Sequence, residues 1–218
     1  MKTNGDYVRY GPEEDDLEKI YSNQYDMTVV MNGHTSQTNL YDMGTNVFRS
    51  KLAAGVYGGP TVFHGAQFHF HAGSEHTIDG KRHDLEMHTV HLPKENEGGF
   101  MAAAMGIMFS VSDFTADITQ SQQDIIDAFF DGLKWNDETG SVESDLILYG
   151  DLMEMVDGNN RWIYKGSVTT PPCATFVYWN VLSTIYPVSQ RHLDLFVQKQ
   201  LGQGEDGKLK DFGNYREI

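Results

Sequence analysis

One cysteine, Cys173, stands in 218 residues, so no disulfide can form within the chain. Stability must come from burial, and this length can hold a substantial core in one large domain. Basic residues are few: 16 Lys and Arg stand against 31 Asp and Glu, a formal charge of −15. That balance argues against nucleic acid or an anionic membrane as partner. No run of 18 apolar residues occurs, so no transmembrane segment is expected. Met1-Lys-Thr-Asn-Gly-Asp6 lacks an apolar stretch, so no secretory signal is expected. No internal repeat or linker breaks the chain.

Hydrophobic residues make up 39% and aromatics 12%, a globular composition. Five of the nine histidines fall in two short stretches, Gln67-Phe-His-Phe-His-Ala-Gly-Ser-Glu-His76 and Glu86-Met-His-Thr-Val-His91. In a strand, His69 and His71 share one face, because side chains alternate. Ile78-Asp-Gly-Lys81 is a turn signal, and Asp84–Leu92 reads as the returning strand. There Glu86, His88 and Val90 share one face, while His91 lies on the other and packs in the core. A hairpin therefore brings His88 beside His69 and His71. Three imidazoles on a rigid sheet form an open zinc site, with a fourth position left for water. Gln67 and Glu86 share those faces and can hold the outer ring nitrogens. A lone His-x-His recurs in unrelated folds; the third histidine and its polar neighbours separate this pattern from that background.

Elsewhere, residues 1–26 read as an acidic, loosely held arm. Short strands follow: Met27–Met31 and Thr35–Leu40 flank the Asn32-Gly33 turn, then come Thr61–His71, Glu75–Asp79 and Asp84–Leu92. Phe100–Val111, apolar on both faces, reads as a central buried strand, and Thr175–Leu182 as another. A helix is predicted over Ser121–Leu133, capped by Ser121, and a second after Ser189, stopped by Gly202. The expectation is one mainly β domain (α+β by some criteria) with short peripheral helices.

The chain resembles the α-class carbonic anhydrases. The resemblance rests on Gln67–His71, Gly73-Ser-Glu-His-Thr77, Glu86–His91, Gly166-Ser-Val-Thr-Thr-Pro-Pro-Cys173 and Asn32-Gly-His34, and runs from about Thr28 to Arg216. It implies a catalytic domain over residues 27–218, built on a central, largely antiparallel twisted sheet of about ten strands. The family's usual N-terminal segment, with a tyrosine that helps hold active-site water, is missing. The resemblance implies Zn2+ at His69, His71 and His88, and reversible hydration of carbon dioxide to bicarbonate and a proton. Zinc acidifies the water it holds, and the activated water attacks the carbon. Thr169 matches the family's gatekeeper and Glu75 its acidic partner. A threonine has one hydroxyl proton; given to Glu75, it leaves Thr169 only accepting, which orients the nucleophile. Val90, Val168 and Val177 would line the apolar recess for carbon dioxide, with Thr170 beside the bicarbonate position. His34 matches the proton shuttle. Primary sulfonamides would inhibit at the metal.

Besides the missing N-terminal tyrosine, Ala72 is a departure, and Cys173 is a position with consequences. Ala72 replaces an aromatic that many relatives have, which loosens the packing around His71. Cys173 occupies a position that secreted relatives use in a disulfide, which suggests a secreted or organelle-lumen protein, or else a lone buried thiol. Compartment and oligomeric state are open. Two other readings compete. One is a carbonic-anhydrase-like binding or structural subunit, though such relatives usually have broken triads. The other is a cupin-type metalloprotein, in which Glu75 would be a ligand; its glycine spacings do not fit.

Overall fold

The computed structural model describes residues 7–10, 17–31, 35–40, 46–50, 62–93, 102–135 and 140–201. Within them, one eleven-stranded sheet carries three short α-helices on its flanks. The strands are β1 (Tyr7–Tyr10), β2 (Glu18–Ile20), β3 (Gln24–Met31), β4 (Ser36–Asn39), β5 (Val47–Arg49) and β6 (Val62–Ala72). They continue with β7 (Leu85–Pro93), β8 (Ala102–Ser110), β9 (Ser141–Ile147), β10 (Arg161–Ser167) and β11 (Thr175–Pro187). The sheet runs β1-β10-β11-β8-β7-β6-β4-β3-β9, with β5 bridging β2 and β6. All pairs are antiparallel except β8 with β11. No helix among the described residues is long and apolar enough to cross a membrane.

The period-2 pattern of β6 decides which side chains go where. Phe68 and Phe70 point to one face and are fully buried. They pack on Phe129 and Phe130 of helix α1 (Gln120–Gly132), with Trp135 and Phe196 closing the aromatic cluster. His69 and His71 necessarily point to the other face. Pairing with β7 sets His69 opposite His88 and His71 opposite Glu86. A one-residue slip would bury the imidazoles among phenylalanines, so the hydrophobic face fixes the register of the polar one.

Several elements differ from the sequence expectation. The cap of α1 is Thr119, not Ser121: its side chain accepts from the Gln122 N–H, and Gln122 Oε1 accepts from the Thr119 N–H at 2.9 Å. This is a capping box, written in the sequence as Thr-x-x-Gln. Glu75–Asp79 is a bend rather than a strand. Asp79 and Gly80 both have positive φ, 52° and 78°, and Ile78 pairs with Lys81 across them as a tight turn. The stretch read as a loose arm contains β1, paired with β10, and β2, paired with β5. Lys19 of β2 reaches helix α2 (Tyr149–Met155) and donates to the carbonyls of Met153, at 2.8 Å, and Val156. Ser189 does cap helix α3 (Gln190–Leu195), accepting from the His192 N–H; a π-helical turn, Phe196–Leu201, follows. Gly202 and the Asn32-Gly33 turn lie outside the described residues.

Candidate metal centre

His69, His71 and His88 each offer a ring nitrogen, and these atoms lie within 4.8 Å of one another. His88 Nδ1 is 3.3 Å from His69 Nε2. A tetrahedral zinc ion with Zn–N bonds of about 2.0–2.1 Å separates two ligand nitrogens by about 3.4 Å. The spacing is therefore that of one edge of a zinc tetrahedron.

Two of the outward nitrogens are held. Gln67 Oε1 lies 2.8 Å from His69 Nδ1 and accepts its proton, leaving Nε2 as a lone pair. Glu86 Oε1 lies 2.9 Å from His88 Nε2 and does the same, leaving Nδ1. Both rings thus present bare nitrogens to the cluster, which a cation requires. Burial pushes the His69 pKa down to about 3, with the neighbouring His88 adding to the effect. Burial, then His88 and His69, likewise depress His71 well below the usual imidazole range. These rings stay neutral, and a cation is the charge the site can take.

Glu86 is fully buried. Burial alone would raise its pKa, but His76 and His88, through charge and hydrogen bonds, hold it well below the usual carboxylate range. His76 donates twice, from Nδ1 to Oε1 at 2.6 Å and from the backbone N–H to Oε2 at 2.9 Å. The Tyr164 hydroxyl, 2.7 Å from His76 Nε2, donates into the ring from behind. Tyr164 stacks on Trp179, whose ring centroid is 4.8 Å from that of His88. His76, Glu86 and His88 also cluster closely enough to suggest a second cation position. Their short contacts are N–H···O bonds already made, so this group is a hydrogen-bonded support. Nothing in the sequence pattern points to Tyr164, Trp179 or Gly106. Gly106 of β8 faces His88, and a Cβ there would sit 2.7 Å from Glu86 Oε1. Only a glycine leaves room for the carboxylate.

The other predicted residues fall as follows. Glu75 is buried in the bend after β6, with Oε1 3.7 Å from His71 Nδ1 and Oε2 3.9 Å from His88 Nδ1. It is not a member of the ligand-atom group among the described residues, unlike the cupin arrangement. Glu75 Oε2 has no hydrogen-bond partner, so Thr169 does not donate to it in this structure. Val177 is buried with Ala104 and Trp179, and Val90 pairs with Ala104 across β7 and β8. Val168 is 39% exposed, Thr169 is half-buried and Thr170 exposed. Ala72 is buried. Cys173 is exposed rather than buried. His91 is buried on the far face, with Nε2 2.7 Å from the Tyr21 hydroxyl. His34 lies outside the described residues.

Comparison with known proteins adds a second line. The family model for eukaryotic-type carbonic anhydrase matches residues 5–218. Mouse carbonic anhydrase 7 is 28% identical over 217 residues, 95% of this chain and 78% of the relative. The putative carbonic anhydrase 3 of Caenorhabditis elegans is 31% identical over 79% of this chain and 66% of its own length. Among solved structures, the α-carbonic anhydrase of Thermovibrio ammonificans, in complex with the inhibitor sulfanilamide, is similar with a TM-score of 0.63. It is 28% identical, over 93% of this chain and 74% of that one. The Photobacterium profundum α-carbonic anhydrase shares the fold, with a TM-score of 0.65 at 24% identity, over 93% and 76% of the two chains.

Proposed function

The chain belongs to the eukaryotic-type carbonic anhydrase family, and from that premise we propose that it is a zinc enzyme for the reversible hydration of carbon dioxide. The observation that carries the reading is the cluster of bare ring nitrogens, 3.3 Å apart at His69 and His88, each with its outer nitrogen bonded to an acceptor. Zinc, when bound, supplies the Lewis acidity that makes water a nucleophile at neutral pH, and carbonic anhydrase is itself the reference case for that effect.

The chain's own residues do the rest. Gln67 and Glu86 fix the tautomers of His69 and His88 and keep their lone pairs aimed inward. Val90 and Val177 give carbon dioxide an apolar wall, with Val168 at its rim. Carbon dioxide has no hydrogen to donate, so an apolar wall holds it without competing polar contacts. Thr169 would align the attacking oxygen by accepting its hydrogen bond, once its own hydroxyl turns to donate to the free oxygen of Glu75. Thr170 stands beside the product. His34 carries the released proton to buffer, since an imidazole with pKa near 6.5 gains and loses a proton about equally well at neutrality. Primary sulfonamides, such as the sulfanilamide bound to the Thermovibrio relative, compete at the same centre.

Zinc content and carbon dioxide hydration, measured side by side, test the assignment. The parent chain should carry one zinc and lose activity to a primary sulfonamide. His88→Ala should lose both metal and turnover. Thr169→Ala should keep zinc but turn over about 10²–10³-fold more slowly, the scale of losing one preorganised active-site hydrogen bond. His34→Ala should keep zinc and slow only in dilute buffer, with imidazole restoring the rate. Full turnover and zinc occupancy in His88→Ala would refute the site.

A further inference from the structure

Two of the three ligand histidines have their outer nitrogen bonded; His71 does not. Both its ring nitrogens are buried without a partner. A neutral imidazole always carries one N–H, so a donor is left stranded. A buried donor without an acceptor is destabilising, because its lost hydration is not replaced. The nearest carboxylate belongs to Glu75, with Oε1 3.7 Å from His71 Nδ1. The two side chains are only 7% and 3% exposed, so water does not serve either one freely. Glu75 has the opposite lack: its Oε2 is buried and accepts nothing.

Local backbone geometry explains the approach. Four residues along a straight strand would separate the two by about 13 Å. Gly73 adopts a positive φ of 67°, which turns the chain at the end of β6. The turn is pinned by the Gly73 N–H to the Asp84 carbonyl at 2.9 Å and by the Ser74 Oγ–H to the His76 carbonyl at 2.6 Å. Glu75 therefore comes back beside the ring four positions earlier.

We propose that Glu75 is a positioning residue for His71: its Oε1 accepts the Nδ1–H and turns Nε2 toward the metal. Each ligand then has its own acceptor, Gln67 for His69, Glu86 for His88 and Glu75 for His71. Closing 3.7 Å to hydrogen-bond range takes under about 1 Å, within reach of rotation about the glutamate side chain. The second oxygen stays available to Thr169, so one carboxylate fixes both a ligand and the orienting hydroxyl. The inference rests on the metal reading above.

Zinc dissociation constants from chelator competition test it, together with ¹⁵N-histidine NMR of the zinc form. Glu75→Ala should weaken zinc about 10–100-fold, the usual effect of removing such an acceptor. Glu75→Gln, whose amide oxygen still accepts, should stay within about threefold of the parent. Thr169→Ala should leave affinity unchanged. The Nδ1–H resonance of His71 should be present in the parent and displaced in Glu75→Gln, while the His69 and His88 N–H resonances hold still. Should Glu75→Ala fail to fold, that selective displacement still decides. Parent-like affinity in Glu75→Ala, or an unmoved His71 resonance in Glu75→Gln, would overturn this inference alone. A parent chain that binds no zinc would overturn the metal reading and this inference with it.

Discussion

At the scale of single residues, His76 shows how a side chain outside the cluster governs it. It gives Glu86 two hydrogen bonds and receives one from Tyr164. His76→Leu keeps the volume but removes the ring donor, and leaves the Tyr164 hydroxyl facing carbon. Urea unfolding of the metal-free variant should show a loss of about 1–3 kcal/mol. Zinc affinity should fall too, because Glu86 is freer to turn away from His88. An unchanged midpoint would mean that water replaces the ring. The three clustered histidines and their acceptors Gln67 and Glu86 were legible in the sequence, because strand parity alone sorts them onto one face. Tyr164 was not, since it meets His76 from a distant strand and no local pattern reports that. Nor could parity place Glu75, whose position depends on the left-handed turn at Gly73.

At the scale of elements, β8 supports the site by what it omits. Gly106 lies directly across from His88. A methyl group there would meet Glu86 Oε1 at 2.7 Å, inside any tolerable contact. Gly106→Ala should therefore push the carboxylate off His88 while leaving the strand intact, since an interior β position accepts alanine more readily than glycine. The expected result is near-native circular dichroism with about tenfold or more weaker zinc binding. Parent affinity would show that Glu86 has another place to go. The sequence marks Phe100–Val111 as a buried strand, and Ala102–Ser110 is one. It cannot say which neighbour needs the gap. The cap of α1 is legible in the Thr119-x-x-Gln122 pattern, although Ser121 stands closer to the apolar face.

For the whole molecule, strand order escapes sequence patterns because pairing joins distant segments; the parallel pair of β8 and β11 is such a case. The N-terminal stretch is equally informative: its acidic composition suggests a free arm, yet Lys19 ties β2 to the end of α2. Burial lowers the Lys19 pKa from 10.5 to about 8, against the pull of Asp157 and Glu154. The unfolded chain thus binds more protons than the folded one between those values, and stability contributed here rises with pH across that window. The difference in unfolding free energy between parent and Lys19→Met should grow in the parent's favour by about 2–3 kcal/mol from pH 7.5 to 10.5. A constant difference would mean that the ammonium is hydrated. The β6–β7 pairing has one more consequence, for assembly. All three histidines sit on two neighbouring strands, and His69 and His88 are only 19 positions apart. Closing so short a loop is entropically easy, whereas the parallel edge of β8 must wait for β11, contributed from far along the chain. On the proposed zinc reading, a single hairpin can therefore gather His69, His71 and His88 while the sheet is still half-built, and binding free energy would become folding free energy from that moment. The ion would then act first as a nucleus around which the chain condenses, and only afterwards as a reagent.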